Sequence, residues 1–218
     1  MSLVVDTPRV AIRVLVVGPL DNNVYLLTAK ESGEQILIDA AADAAAIEEL
    51  LAQSVADAPN PRLALIVTTH AHDDHCQALA PIQRLTGART AAGRADAATI
   101  EARCAVKIDQ PVDHLATIEV SGLFLTVIAL RGHTPGSIGL AYAEPGQAVQ
   151  LFSGDSLFPG GVGNTEGDPA RFSALFNDVS ERIFAVYGDD TVVWPGHGLA
   201  TTLGAERPQL AAWRARGW

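Results

Sequence analysis

The chain has 218 residues, of which 48% are hydrophobic and 18% charged, a composition typical of a globular protein with a buried core. Its 15 basic residues are outnumbered by 25 acidic ones, which argues against nucleic acid or an anionic membrane as a partner, because both favour a basic surface. Two cysteines are too few for a disulfide framework, and we recognise neither a signal peptide nor an apolar stretch of membrane-spanning length. We therefore expect a single domain over residues 1–218 that acts in the cytoplasm on a small molecule.

Apolar, β-branched stretches alternate with alanine-rich stretches through the first half of the chain. The spacing predicts three strands and a helix, then a short buried strand and a second helix, then a weak strand and a third helix. The segments in that order are RVAIRVLVVG, NVYLLTA, EQILIDA, AADAAAIEELLAQSVA, RLALIVTTH, Asp74–Leu85, ARTAAG and RADAATIEARCA.

The second half is richer in strands and ends in helices. It predicts a hairpin or two adjoining strands, a strand–turn–strand unit around a Pro-Gly pair, a long amphipathic helix, a strand and a terminal helix. The segments are TIEVSGLFLTVIALRG, SIGLAYAEPGQAVQLFSGD, DPARFSALFNDVSERIFAVYG, TVVWPGHG and ERPQLAAWRARGW. This order of elements predicts a layered α/β fold with mixed sheets.

Half of the six histidines lie in the segment TTHAHDDH, directly after a predicted buried strand. His70 and His72 are two residues apart, so in an extended segment their side chains point the same way. Asp74 and His75 follow at the start of the predicted helix. Imidazole and carboxylate groups are ligands for zinc and similar divalent ions, and the segment therefore predicts a metal site.

Three later residues repeat this pattern of a polar ligand after an apolar strand. His133 lies in RGHTPGS, Asp155 in FSGDSLF and His197 in WPGHG, each beside a glycine. Glycine allows tight turns and a close approach of the backbone. Side chains that follow separate strands can meet at one edge of the sheets, so we expect all of these groups to form one site.

The ordered set His70-x-His72-x-Asp74-His75, followed by His133, Asp155 and His197, resembles the metallo-β-lactamase superfamily over nearly the whole chain. The resemblance implies a four-layered αββα sandwich with two mixed β-sheets and two divalent metal ions, with zinc expected and iron or manganese as alternatives. The division of ligands that it implies is His70, His72 and His133 for the first ion, Asp74, His75 and His197 for the second, Asp155 bridging both, and Asp39 behind the ligands.

The segments GHTPGS, GDSLFPGGVGNT and PGHG resemble the glyoxalase II-like hydrolases of that superfamily. This implies hydrolysis of a thioester such as S-lactoylglutathione or another acyl-thiol by a metal-bridging hydroxide, which Asp74 orients or deprotonates. The neutral Asn164 stands where that branch carries a basic residue. The resemblance therefore supports the metal chemistry better than it supports a preference for glutathione. The identity of the thiol that carries the acyl group is left undetermined.

The glycine-rich segment Phe158–Asp168 is interpreted as a loop over the metal edge. Phe158 would form an apolar wall of the substrate pocket, and Asn164 and Thr165 would supply polar contacts; a plain surface connection is the alternative.

Three other functions stay open at this point. A persulfide dioxygenase would hold a single iron through His70, His133 and Asp155, a lactone hydrolase would use the same two-metal chemistry, and a binding module would have kept the fold alone.

Overall fold

The computed structural model describes residues 1–217. Its strands are β1 (Ser2–Asp6), β2 (Val10–Val17), β3 (Asn22–Ala29), β4 (Glu34–Ile38), β5 (Arg62–Thr68), β6 (Arg89–Gly93), β7 (Gln110–Val112), β8 (Thr117–Val120), β9 (Leu123–Ala129), β10 (Ile138–Tyr142), β11 (Gln150–Gly154), β12 (Leu157–Phe158), β13 (Gly161–Val162), β14 (Val192–Pro195) and β15 (Thr201–Thr202). Its α-helices are α1 (Ala44–Gln53), α2 (Leu79–Thr86), α3 (Arg94–Cys104), α4 (Pro169–Val179), α5 (Leu203–Glu206) and α6 (Leu210–Arg216).

The first seven strands form one mixed sheet in chain order. Strands β1 to β4 are antiparallel to their neighbours, and the pairs from β4 to β7 are parallel. The change follows from the connections: short turns join the antiparallel strands, whereas α1 and α2 cross between parallel ones. The carboxyl ends of β4 and β5 consequently lie at the same edge of the sheet.

The second sheet has six strands in the order β15-β14-β11-β10-β9-β8. The pair β11 and β14 is parallel, and the other pairs are antiparallel. Helix α4 lies between β11 and β14 in sequence, which is the crossover that a parallel pair requires. These two strands therefore also end at a common edge.

Alternating side chains bind the layers together, because successive residues of a strand face opposite sides of a sheet. In β3, Val24 and Leu26 pack in a cluster with Ile47 of α1 and Ile82 of α2. The intervening Tyr25 and Leu27 pack in a second cluster between the two sheets.

The outer face of the second sheet is covered in the same way. Leu151 and Val193 of this sheet share a cluster with Leu175 of α4 and Trp213 of α6. The layers are therefore helices, sheet, sheet and helices, and the predicted αββα sandwich with two mixed sheets is confirmed.

The predicted first residue of one helix was wrong. The sequence pattern begins it at Asp74, whereas the structure has a short 3-10 turn at Asp73–His75 and begins α2 at Leu79. The amides of Gln77 and Ala78 donate to the carbonyls of Ala41 and Ala40 at 2.9 and 3.0 Å. These tertiary hydrogen bonds hold the segment against the end of β4, so it cannot continue the helical ladder.

Other differences concern short elements. Strands β1, β7, β12, β13 and β15 have no counterpart in the sequence prediction. The long helix after Asp168 changes to a π-helical segment at Ser180–Phe184, and the terminal helix is divided into α5, a 3-10 turn and α6. Among residues 1–217, no helix is long and apolar enough to cross a membrane.

Removing a large side chain from between the sheets should destabilise the fold. Phe152 is fully buried, and its ring centroid lies 5.1 Å from that of Tyr25. We expect Phe152→Ala to lower the free energy of unfolding by about 3–5 kcal/mol, through lost transfer energy and a residual cavity. Phe124→Ala is the control, because Phe124 is 55% exposed, and it should change stability by less than about 0.5 kcal/mol. Urea titration measures both, and equal effects would contradict this account of the core.

Candidate metal centre

The centre lies at the edge where the parallel strands of both sheets end. His70 follows β5, Asp155 follows β11 and His197 follows β14. The amide of Gly196 donates to the carbonyl of Gly154 at 2.8 Å, and the amide of Asn23 donates to the carbonyl of Gly196 at 2.8 Å. Backbone hydrogen bonds therefore join the loops of the two sheets at this edge.

All seven residues expected to bind metal lie together there. Within residues 1–217, two groups of three that share no residue have their ligand atoms within 4.8 Å of one another, and these groups are His70, His72 and His133, and Asp74, His75 and His197. A third such group, His70, His75 and Asp155, takes one histidine from each of them.

Asp155 lies between the two groups. Its Oδ2 is 3.6 Å from Nε2 of His133 and 3.4 Å from Nε2 of His197. Its Oδ1 is 3.4 Å from Nε2 of His75. One carboxylate thus reaches imidazoles of both groups.

The outer ring nitrogens fix how the imidazoles are oriented. Nδ1 of His133 lies 2.8 Å from the carbonyl of Asn164, and Nδ1 of His197 lies 2.8 Å from the carbonyl of Leu20. A carbonyl only accepts hydrogen bonds, so each Nδ1 carries the proton and each Nε2 presents a lone pair to the centre.

Asp39 lies directly behind His75. It is 2% exposed and takes a left-handed backbone conformation, with φ of 58°. Its Oδ2 accepts from Oγ1 of Thr69 at 2.8 Å and lies 2.9 Å from Nδ1 of His75, while its Oδ1 accepts from the amide of Thr69 at 2.7 Å. A carboxylate in this position turns Nε2 of His75 towards the centre.

The donor atoms fit divalent cations. Nε2 of His70 lies 3.1 Å from Nδ1 of His72, and Nε2 of His75 lies 3.1 Å from Nε2 of His197. Within residues 1–217, the buried Nε2 of His133 and Oδ1 of Asp155 have no hydrogen-bond partner. Facing lone pairs and a buried carboxylate oxygen without a donor are unfavourable, and cations between them would satisfy all of these atoms.

The electrostatics differ between the histidines of the centre. Burial lowers the pKa of His70 and of His133, which favours the neutral imidazole that binds metal. Burial also acts to lower the pKa of His75, but the neighbouring Asp39 and Asp155 outweigh it and raise that pKa to about 10. The carboxylates around His75 therefore favour a positive charge at this position.

A model of the Metallo-beta-lactamase superfamily matches residues 17–197, which is most of the chain. The chain belongs to this superfamily. Its two-layered sheet core, its ligand order and its ligand edge all agree with the resemblance noted in the sequence.

Relatives and solved structures specify the branch. The hydroxyacylglutathione hydrolase of Fuscovulum blasticum is 34% identical over 182 residues, which cover 81% of this chain and 62% of the relative. The crystal structure of ETHE1 from Myxococcus xanthus is 25% identical with a TM-score of 0.76, over 92% of this chain and 84% of that one. TTHA1623, solved in a di-iron-bound form, is 30% identical with a TM-score of 0.69, over 89% of this chain and 96% of that one.

The chain spans only part of these curated relatives. The matched region is 62% of the Fuscovulum blasticum protein and 54% of the hydroxyacylglutathione hydrolase of Pseudomonas aeruginosa. The predicted likeness to the glyoxalase II-like branch of the superfamily is nevertheless confirmed, because these relatives carry its name. Membership of the superfamily, together with the ligand groups, also implies binding of divalent metal.

Asp96 is a site residue that the sequence analysis missed. It is 2% exposed in the first turn of α3. Its Oδ2 accepts from the amide of Ala71 at 2.9 Å and from Oγ1 of Thr134 at 2.5 Å, and its Oδ1 accepts from the amide of Gly136 at 2.7 Å. One carboxylate thus ties the loop between His70 and His72 to the loop that follows His133. In sequence it looks like an acidic residue that favours a helix N-terminus.

Asn22 is a second site residue that the sequence analysis missed. Its Nδ2 donates to Oδ2 of Asp74 at 2.8 Å and lies 3.4 Å from Nε2 of His75 and 3.5 Å from Nε2 of His197. It belongs to the turn PLDNN, whose composition indicates only a tight connection. Nothing in the local pattern indicates that this turn reaches the opposite sheet.

The segment predicted to contact substrate is a small hairpin followed by a loop. Phe158 of β12 pairs with Gly161 of β13. Asn164 contacts His133 through its backbone carbonyl, and Asn164 and Thr165 line a cavity of about 420 Å³. A larger cavity of about 590 Å³ adjoins His72 and His133 and has other lining residues. Substrate binding by Phe158, Asn164 and Thr165 therefore stays a prediction.

Replacing Asp96 should weaken metal binding, although Asp96 is not one of the residues expected to bind metal. In Asp96→Asn, the amide nitrogen must face a backbone N–H or the hydroxyl of Thr134, all of which donate to the carboxylate. We expect metal affinity to fall by about tenfold or more, as for other groups that orient ligands indirectly. Competition with a chromogenic chelator measures the affinity. Asp113→Asn is the matched control because Asp113 is 64% exposed and pairs with Arg94; an unchanged affinity in Asp96→Asn would contradict the positioning role.

Proposed function

We propose that this chain is a metal-dependent hydrolase of thioesters, with two divalent ions that are most simply zinc. His70, His72 and His133 would hold one ion, Asp74, His75 and His197 the other, and Asp155 would bridge them. The observation that carries the proposal is that one carboxylate lies between two complete ligand groups. The name hydroxyacylglutathione hydrolase of several relatives supports thioesters as the substrate class. The proposal includes a small-molecule substrate, one domain over residues 1–218 and action in the cytoplasm.

Divalent cations at this centre would supply Lewis acidity, which polarises a carbonyl and lowers the pKa of water. Asp74 is suited to handle the proton of the attacking water: its side chain is 25% exposed, and Nδ2 of Asn22 fixes its Oδ2 at 2.8 Å. The other carboxylate oxygen can then orient the water and accept its proton. Asn22 is a positioning residue in this scheme, because it acts through Asp74.

The thioester itself removes the need for a strong general acid. Water oxygen bonds to the acyl carbon, the carbon–sulfur bond breaks, and the electron pair leaves with sulfur. A free thiol has a pKa of about 8.5, so sulfur departs as a thiolate and takes up the proton afterwards. The products are a carboxylic acid and a free thiol.

The first test is metal content together with turnover. Protein purified without added metal should contain about two divalent ions per chain and should hydrolyse S-lactoylglutathione or another acyl-thiol. Removing the ions by chelation should abolish turnover and lower the melting temperature, because a ligand that binds only the folded state stabilises it. About one iron per chain, oxygen uptake with a persulfide and no thioester turnover would overturn the proposal in favour of the dioxygenase. Faster turnover of lactones than of thioesters would favour the lactonase.

A pair of histidine variants makes the metal count specific. His75→Ala removes a fully buried imidazole of the second group and should reduce the content to about one ion or fewer. His114→Ala is the matched control, because His114 lies outside both groups and accepts a hydrogen bond from the amide of Ala129. Elemental analysis of both variants decides, and equal loss in the two would contradict the ligand assignment.

A further inference from the structure

A large cavity opens beside the metal centre. It has a volume of about 590 Å³, which lies within the range of sites for small organic ligands. His72 and His133 form part of its wall, and their ring centroids are 4.5 Å apart. A molecule in this cavity therefore lies next to one of the two ligand groups.

Most of the remaining wall is made of small side chains, chiefly alanine. It is formed by α3, by the start of α4 and by the loop after His133. The lining side chains that make no charged contact are Ala71, Ala95, Thr99, Pro135, Ala170 and Ala174. Methyl and ring methylene groups dominate this set, so the wall favours an apolar occupant.

Two arginines lie at the cavity, and the protein engages all three nitrogens of Arg171 but only Nη1 of Arg103. Nε of Arg171 donates to the carbonyl of Gly132 at 2.8 Å, Nη2 to the carbonyl of His133 at 2.6 Å, and Nη1 to Glu166 at 2.6 Å. Nη1 of Arg103 donates to the carbonyl of Ala71 and pairs with Asp73 at 3.0 Å. These guanidinium groups brace the ligand loops and are compensated by nearby carboxylates.

Asp96 and Thr134 of the wall are also engaged. The carboxylate of Asp96 accepts hydrogen bonds from Ala71, Thr134 and Gly136. A substrate carboxylate placed beside Asp96 would be repelled by its charge and would have to displace one of these internal contacts, which costs free energy. An alkyl chain would displace nothing but water.

We propose that this cavity binds an extended apolar acyl chain, and that the preferred substrates are medium-chain acyl thioesters. The proposal rests on the proposed thioester hydrolysis, which places the acyl carbonyl at the metal centre. The alkyl chain then extends from His72 and His133 along the groove between α3 and α4. Thr99 and its neighbours on the wall are specificity-determining residues, because they contact the chain and not the reacting atoms.

A series of acyl chains on one thiol tests this assignment. Acetyl, butanoyl, hexanoyl and octanoyl thioesters of N-acetylcysteamine should show a kcat/KM that rises by about two- to fourfold per added methylene, the factor expected when apolar surface is buried. A flat or falling series would overturn the assignment while thioester hydrolysis stands.

Equilibrium binding separates this proposal from the proposed function. The corresponding ketones, in which a methylene group replaces sulfur, cannot be hydrolysed. Their Kd, measured by calorimetry on the metal-loaded protein, should fall by about the same factor per methylene. Chain-length-dependent binding without turnover of any thioester would support the groove and overturn the hydrolase. Binding that is independent of chain length would overturn the groove, whatever the turnover.

Adjacent residues on α3 provide matched variants. Thr99 and Ala98 are both exposed, but only Thr99 lines the cavity. In Thr99→Trp, the octanoyl to acetyl ratio of kcat/KM should fall towards 1, because the indole occupies the groove. In Ala98→Trp, the ratio should keep its wild-type value. If the two variants change the ratio equally, the chain does not bind along this wall.

Discussion

The centre depends on the compensation of buried carboxylates by groups that carry or attract positive charge. Asp155, whose side chain is 12% exposed, lies among imidazoles from both sheets, and Asp39 is buried behind one of them. Uncompensated, each carboxylate would be costly in such surroundings. The imidazoles, the backbone amides and the implied cations together remove that cost. The carboxylates are unfavourable without nearby positive charge. For the same reason, the site favours divalent cations over apolar or anionic groups.

Hydrogen bonds made by side chains, most of them to backbone groups, hold this arrangement. They are separate from the regular hydrogen bonds of the helices and strands. Asp96 joins two ligand loops through three donors, and Arg171 holds the carbonyls of Gly132 and His133. On the opposite side, Asn23 and Tyr25 of β3 donate to the carbonyl of Pro195 at the end of β14. The ligand side chains are therefore fixed by a framework of polar contacts that is distributed over both sheets.

The sequence predicted which histidines and aspartates lie together at the centre, but it did not predict this framework. Several candidate ligands share a local sequence pattern, in which a polar residue follows an apolar strand beside glycine. The periodicity of the long strands predicts the layered fold. Asp96, Asn22 and Arg171 act over sequence separations that no local pattern encodes. The start of α2 was misplaced for the same reason, because amides of Gln77 and Ala78 bond to a distant strand end. Short edge strands such as β7 depend on pairing and not on their own composition.

Helices α3 and α4 both line the groove. Each also holds, through one side chain, a loop that carries a histidine of the centre. Asp96 and Thr99 lie on α3, and Arg171 and Ala174 lie on α4. A molecule that shifts these helices on entering the groove also shifts the loops of His72 and His133. Thermodynamic linkage then requires the effect to be reciprocal: whatever groove occupancy does to metal affinity, metal occupancy does to ligand affinity by the same factor. Any molecule that moved these helices on binding would therefore couple its own affinity to the retention of metal.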